Sequence, residues 1–319
     1  MKTCIKGLNI SGIAACLSGS LPNKDVHIAD NTITTADLCE RAANHLLKEM
    51  DIDKNCIDAL IFISTSPDYR APATSCIMQD RLGLSIDVLA FDIKQSCAAY
   101  IYGLYQAAML IDSGGCTRVL VCTGGMESGF AKNNDESVQA LMGNAGTATI
   151  IEKGHDTFCF NIKTDGPGYK DIHTALDRQC YFNDEISGTE NLCSDGNINV
   201  IQMKMDFFAN EIPVLVEETL LQAGWQKSEV ETFAFHQTDT LKRSRMADVL
   251  GISLDSITVA LDEKTNTVAI PLSLCLDGEK LREQNRLNKV FAFGFGADLS
   301  WGAVTINLNN ATIFEPIEY

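Results

Sequence analysis

Val88-Leu-Ala-Phe-Asp-Ile-Lys-Gln-Ser-Cys-Ala-Ala-Tyr-Ile-Tyr-Gly-Leu-Tyr-Gln-Ala-Ala-Met-Leu-Ile111 decides the fold. Its opening, Val88 to Ile93, is short, apolar and partly β-branched, which predicts a strand. Beyond it, Tyr100, Leu104, Ala107, Ala108 and Ile111 recur at three- and four-residue spacing, which predicts a buried helix. Cys97 falls at the turn between the two. Unpaired backbone N–H groups and the helix dipole favour an anion at such a position. A thiol there loses its proton more easily, and the thiolate is the nucleophile. A free cysteine is more often a small buried hydrophobe. With 12 cysteines in the chain, position is what singles this one out.

Outward from that stretch the chain repeats itself. In the first half an amphipathic helix is predicted over Thr35 to Met50. Then come a strand over Asp58 to Thr65, a helix from Ala71 to Leu82 ending at Gly83, the strand to Ile93, and the Cys97 helix. Strands at Arg118 to Cys122 and Gly146 to Ile151 follow. The second half runs in the same order: a helix over Phe207 to Ala223, a strand over Val230 to Phe235, and a helix from Thr240 to Leu250 ending at Gly251. A strand over Ile257 to Leu261, a helix over Ala269 to Glu283, and strands at Lys289 to Phe293 and Trp301 to Ile306 complete it. Local echoes support duplication: Arg81-Leu-Gly-Leu against Val249-Leu-Gly-Ile, and Phe91-Asp-Ile-Lys against Leu261-Asp-Glu-Lys. Alternating strands and helices make mostly parallel sheets covered by helices. Two such units would pack as two sheets sharing a central helical layer. The halves are assigned to residues 1–160 and 161–319. Met1 to Leu17 is expected to be a strand or hairpin. Gly154 to Asn199, irregular and polar, is expected to be an insertion forming a cap or channel wall, or simply a solvated loop.

Composition narrows the function. The chain has 319 residues, 45% hydrophobic, enough for a large core or two fused ones. A net charge of −17 argues against nucleic acid as a partner. No secretory leader or membrane span is visible, and the cysteines follow no disulfide framework, so a reducing cytoplasmic setting is expected. The 5 histidines are scattered and none sits at a metal-ligand spacing, so no metal is expected.

Open α/β sheets place their sites beyond the carboxyl ends of their strands. Three such turns carry useful chemistry. Cys97 follows the Val88 strand, His236 follows the Val230 strand directly, and Asn266 follows the Ile257 strand. If the halves are related by a pseudo-twofold, the Cys97 and Asn266 turns occupy nearly equivalent places and face one pocket. Alone, His236 would be taken for a structural histidine and Asn266 for turn chemistry.

These residues resemble the thiolase superfamily, and within it the β-ketoacyl-acyl-carrier-protein synthase III group. The resemblance covers nearly the whole chain. It rests on Thr65-Ser-Pro-Asp-Tyr-Arg-Ala-Pro-Ala-Thr74, Gln95-Ser-Cys-Ala-Ala-Tyr100 and Gly143-Asn-Ala-Gly-Thr-Ala148. To these it adds His236-Gln, Asn266-Thr and Gly294-Phe-Gly-Ala-Asp-Leu-Ser-Trp-Gly-Ala303. It implies a duplicated βαβαβαββ fold, a five-layer αβαβα sandwich, and a homodimer whose first sheet continues across the two-fold. It also implies an acyltransferase of lipid metabolism, of fatty acid or polyketide type. Cys97 would take an acyl group from an acyl-CoA or acyl-carrier-protein thioester. The backbone N–H groups of Cys97 and Ala297 would form the oxyanion hole. His236 and Asn266 would hold the enolate left when malonyl-acyl-carrier protein loses carbon dioxide. No bound cofactor is needed.

The resemblance extends to specificity and partners. Ala71 stands where short-chain members carry a bulky aromatic that closes the acyl tunnel, which implies a medium or longer acyl chain. Lys242, Arg243 and Arg245 follow His236 where a pantetheine arm would enter, and they form a candidate dock for acyl carrier protein. They also fit an ordinary solvated helix face. The chain departs from the family in three places. Asp298 stands where the family has a glycine beside the oxyanion turn, and the segment after Asn266 looks shorter than the family's. Leu17 to Asp37 lacks the Trp and Arg that stack on coenzyme A. Two other readings use the same fold: acyl transfer to a hydroxyl or amine without condensation, and a catalytically silent homologue.

Overall fold

The computed structural model describes residues 1–18, 33–95, 98–126, 144–166, 205–235, 240–259, 269–296 and 300–319. The first half supplies β1 (Lys2–Leu17), α1 (Thr35–Glu49), β2 (Ala59–Ile63), α2 (Thr74–Leu82), β3 (Leu89–Ile93), α3 (Ala99–Asp112) and β4 (Arg118–Met126). Strand β5 (Asn144–Thr164) leads into α4 (Met205–Ala223), β6 (Thr232–Phe235), α5 (Thr240–Leu250), α6 (Ala269–Glu283), β7 (Val290–Phe295) and β8 (Ser300–Ile306). Two short strands, β9 (Thr312–Ile313) and β10 (Ile317–Glu318), lie beside β1.

Strand pairing runs β3-β2-β4-β5-β8-β7-β6, with β1 alongside β5. The first portion of β5 pairs with β4, and the last portion, Cys159 to Thr164, pairs with β8. β1 follows β5 antiparallel through both portions. The β1–β5 ribbon therefore stitches two sheets together. Its register shifts at Lys6 to Leu8, where Gly7 takes φ 78° and Leu8 faces both Lys153 and Asp156. A Cβ on Gly154 would lie 2.5 Å from Asn9 Cβ and 2.7 Å from the Leu8 oxygen, so the bulge requires a residue without a side chain. The sequence predicted an irregular insertion from Gly154 onward; instead β5 continues to Thr164. The polar run at Gly154-His-Asp156 is this bulge, and beyond it Phe158, Phe160 and Ile162 alternate into the core. Met1 to Leu17 forms one strand and no hairpin.

Apolar residues separate into three clusters. α3 and α6 fill the middle layer, with Ala59, Ile61 and Ile63 on one side and Ala292, Val304 and Ile306 on the other. α1 and α2 cover the outer face of the first sheet through Leu60, Phe62, Leu120 and Cys122. α4 and α5 cover the outer face of the second through Phe233, Phe235, Phe291 and Phe293. The result is the five-layer αβαβα arrangement. Inner strands such as β2 and β7 show one face to the central helices and the other to an outer pair, so both faces are apolar.

The duplication is visible in the register. Gly83 and Gly251 end α2 and α5 in the left-handed region, at φ 65° and 61°. Gly124 pairs with Gly146 in the first sheet, as Gly294 pairs with Gly302 in the second. Counting from these pairs, Val121 matches Phe291, Ile61 matches Phe233, and Phe91 matches Ile257. The Arg81/Val249 echo is therefore in register. The Phe91/Leu261 echo is not, because the second-half counterpart of Phe91 is Ile257.

Cysteine pairing differs from the sequence expectation at one place. Cys4 and Cys159 are direct cross-strand neighbours in the ribbon and form a disulfide, Cα to Cα 4.0 Å. The Cys159 N–H points away toward Thr305 Oγ1, 3.3 Å, so the pair is of the non-hydrogen-bonded kind that brings side chains closest. Spacing in sequence cannot reveal such a pair, because register creates it. The other described cysteines are free thiols.

Candidate active site

Cys97, His236, Asn266 and Ala297 lie outside the described residues. Their flanks are described. β3 runs parallel to β2 through Ile93, and α3 starts at Ala99 behind Ala98. Ala98 provides no side-chain cap for the helix. β6 ends at Phe235, the residue before His236. The Gly296 N–H donates to the Ser300 oxygen at 2.9 Å, on either side of Ala297 in the chain.

Several of these flanks meet. Phe235, Phe293, Ala303 and Asn161 form one row across four adjacent strands. One step further along, Gly294, Gly302 and Ile162 form the next row. The start of α3 packs on that row: a Cβ on Gly302 would lie 3.2 Å from Ile101 Cγ2. Tyr102 Oη lies 3.2 Å from Thr164 Oγ1, where β5 ends. Phe235 and Ala303 are two strand spacings apart, about 10 Å. The first turn of the Cys97 helix thus sits at the edge of the second sheet where β6 and β7 terminate. An open cleft of about 700 Å³ adjoins it, lined by Tyr102, Tyr105, Gln106, Thr164 and Trp301.

The stem of the Asn266 turn reaches the same edge. Ile257 bridges Phe233, and the Thr258 N–H donates to the Phe233 oxygen at 3.0 Å. The Val259 N–H donates to Asp277 Oδ2 at 2.7 Å, and Thr258 Oγ1 lies 2.9 Å from Ser273 Oγ. In the first half, Asp92 on β3 accepts from the N–H groups of Thr74 and Ser75, each at 2.8 Å. That carboxylate caps α2, whose own N-cap Ala73 has no side chain to do so. Asp92, Ser273 and Asp277 were missed from sequence. The available signal was a carboxylate or hydroxyl inside an otherwise apolar segment.

Ala71 is exposed and precedes Pro72 in a cis peptide bond at the entrance to α2. On α5, Arg245 is exposed. Arg243 is half-buried, and its Nη2 donates to the oxygens of Leu254 and Ile257 at 3.1 and 3.2 Å. The side chain of Lys242 lies outside the described residues. Arg243 therefore braces the strand stem beneath the Asn266 turn, a role its place in a basic cluster does not suggest.

The buried thiols are electrostatically unsuited to nucleophilic work. Burial pushes Cys122 up to about 12, and it pushes Cys16 up to about 12 against the lowering effect of Arg41. It also raises Cys39, with Cys122 adding to the effect, and Cys275. At neutral pH these four are neutral hydrophobes. Among the described residues no group of His, Cys, Asp and Glu is arranged to hold a metal ion, and no helix is long and apolar enough to cross a membrane.

Comparison with known proteins agrees with this geometry. The family model for 3-oxoacyl-[acyl-carrier-protein] synthase III matches residues 91–166, and its C-terminal counterpart matches residues 220–308. A Campylobacter jejuni protein, provisionally named 3-oxoacyl-[acyl-carrier-protein] synthase 3, is 30% identical over 302 residues, spanning 89% of this chain and 82% of its own. The β-ketoacyl-[acyl-carrier-protein] synthase III of Methylococcus capsulatus is 29% identical over 287 residues, spanning 88% and 86%. The crystal structure of a 3-oxoacyl-(acyl-carrier protein) synthase from Burkholderia xenovorans superposes with a TM-score of 0.84 at 27% identity, over 100% of this chain and 99% of that one. Two layered sheets around a shared helical layer, strand ends gathered beside the start of α3, and matches in both halves lead to one assignment: the chain belongs to the 3-oxoacyl-[acyl-carrier-protein] synthase III family, thiolase-like transferases of fatty acid biosynthesis.

Proposed function

We propose that the protein catalyses decarboxylative Claisen condensation of an acyl thioester with a malonyl thioester through an acyl-Cys97 intermediate. The observation that carries this reading is the packing of Ile101 and Tyr102 against Gly302 and Thr164. It supports bringing the nucleophile turn of the first half to the His236, Asn266 and Ala297 turns of the second.

In the first step the Cys97 thiolate adds to the thioester carbonyl. The N–H groups of Cys97 and Ala297 receive the oxyanion. The carbon–sulfur bond to the donor breaks, and the donor leaves as a thiol. In the second step the malonyl thioester loses carbon dioxide. His236 and the Asn266 amide donate to the enolate oxygen that forms. The enolate carbon attacks the acyl-Cys97 carbonyl, and the 3-oxoacyl thioester departs as the cysteine sulfur is released. Malonyl-acyl-carrier protein is the proposed extender. The acyl donor is a coenzyme A or carrier-protein thioester, with Ala71 leaving room for a medium or longer chain. Arg245, with Lys242, is the proposed carrier dock, and Arg243 serves as the brace beside them. We assign the nucleophile to residues 1–160, the enolate donors to 161–319, and the working unit to a homodimer.

Intact-mass analysis after incubation with a panel of acyl thioesters, followed by malonyl thioester, tests the reading. The expected result is one acyl adduct on Cys97 that discharges with release of carbon dioxide. An adduct that discharges to a hydroxyl or amine without carbon dioxide would favour simple acyl transfer. The absence of any adduct would favour a silent homologue.

A further inference from the structure

We propose that Cys4 and Cys159 are a reversible thiol–disulfide pair, opened and closed by exchange with a low-molecular-weight thiol that reaches the Cys4 sulfur. Neither cysteine belongs to the turns of the condensation reading. Their sulfurs lie on the face of the β1–β5 ribbon that packs under the C-terminal end of α4. Cys4 is exposed, whereas Cys159 is only 3% exposed. An outside thiolate therefore reaches one sulfur of the bond and is kept from the other.

The surroundings suit both forms of the pair. Gln222 lies in the last turn of α4, where backbone carbonyls have no N–H partner within the helix. Its carbonyl oxygen is 3.8 Å from Cys4 Sγ and 4.0 Å from Cys159 Sγ. In the disulfide neither sulfur carries a hydrogen. In the dithiol each S–H can donate to that oxygen, so reduction adds a donor where an acceptor already stands. The ribbon also holds without the bond. β1 and β5 are paired from Lys2 and Asn161 at one end to Leu17 and Ala145 at the other. On the same face as the sulfurs, Glu218 of α4 bridges Lys2 and Lys163 at 3.0 and 3.2 Å. Opening the disulfide removes one link among many.

Exchange runs in two steps. The thiolate of the small thiol attacks Cys4 Sγ, the Cys4–Cys159 bond breaks, and Cys159 leaves and takes up a proton. A second thiolate attacks the small thiol's sulfur in that mixed disulfide, which frees Cys4 as a thiol and releases a small-molecule disulfide. Two small thiols are oxidised and one protein disulfide is reduced; the same steps in reverse close the pair.

Glutathione is the probe, with peptide mapping to locate each modified cysteine. The folded natural protein, equilibrated in glutathione buffers of graded thiol-to-disulfide ratio and then alkylated, should pass from disulfide to dithiol while keeping one cooperative thermal transition. With glutathione disulfide, Cys159→Ser should trap a mixed disulfide on Cys4 roughly tenfold or more faster than Cys4→Ser traps one on Cys159, because rate follows access. Cys56 and Cys76, exposed free thiols, report the activity of the reagent in every sample. A bond that opens only after unfolding, or a reduced protein that loses its transition, would mark a structural staple and overturn the proposal. Thiols that never pair in oxidised buffer, or equal trapping on both cysteines, would overturn it as well. Should either variant not fold, the natural protein decides: a mixed disulfide on Cys4 at intermediate ratios supports the proposal, and one on Cys159 overturns it.

Discussion

The two halves solve the same problem differently. Each must end a strand, make a turn and start a central helix. In the first half the strand does the positioning: β3 is fully laddered to β2, and Asp92 extends the hold to the first turn of α2. In the second half the matching segment has one described bridge, and side chains from α6 and α5 replace the ladder. Under the proposed mechanism, the first arrangement would serve the nucleophile and the second the enolate-binding amide. Duplicated folds diverge most cheaply at strand edges, where a lost ladder can be replaced by a few hydrogen bonds.

The largest expected effect lies with the nucleophile. Cys97→Ala should abolish the acyl adduct and lower condensation by about a thousandfold or more; a labelled adduct that persists on another cysteine would break the contrast with the four inert thiols. Next come His236→Ala and Asn266→Ala. Each should leave the adduct intact and lower decarboxylation by roughly a hundred- to a thousandfold, read as acyl-enzyme that accumulates without carbon dioxide.

The scaffold contrast predicts smaller numbers. Asp92→Ala removes two charge-assisted bonds from a half-buried site and should cost about 2–3 kcal/mol in denaturant unfolding. Ser273→Ala should cost about 1 kcal/mol. Equal costs would mean that the two stems are held alike. On the surface, Arg245→Glu should raise KM severalfold for carrier-bound substrate and leave a small pantetheine thioester unaffected; equal shifts would remove the docking role. Ala71→Phe should shift the preferred acyl chain toward shorter lengths in the same panel of thioesters.

The smallest effect concerns how α4 is tied to the ribbon. Glu218 contacts Lys2, Asn161 and Lys163, and hydrogen bonds from Lys2 and then Asn161 hold its carboxyl down at about 2 against an ordinary 4.5. A lowered folded value gives stability that is full above about 4.5 and lost as the pH falls toward 2. The site is open to solvent, so Glu218→Gln should cost only about 0.5–1 kcal/mol at pH 6. The variant and natural curves should merge near pH 2, the lower limit of that window; a gap that persists there would point to packing.

Most of the architecture was legible because apolar periodicity reports which face of a strand or helix is buried. Where both faces are buried, as in β2 and β7, the apolar run is continuous and equally plain. The misreadings fall where a local signal had two meanings. Gly154-His-Asp looks like a loop, yet it bulges within a strand. Arg243 looks like surface charge, yet it braces two carbonyls. Cys4 and Cys159 stand 155 residues apart and become neighbours only through register.

The sequence by itself determined the order of elements, the duplication, and the residue types at the strand ends, because each follows from short-range pattern and from steric rules acting over a few residues. Only the tertiary structure decided which strand ends meet. The approach of Ile101 to Gly302, the disulfide across the ribbon, and the hold of Asp277 on Val259 all join segments whose separation in the chain carries no information about their separation in space. Packing two sheets against one pair of helices sets those contacts.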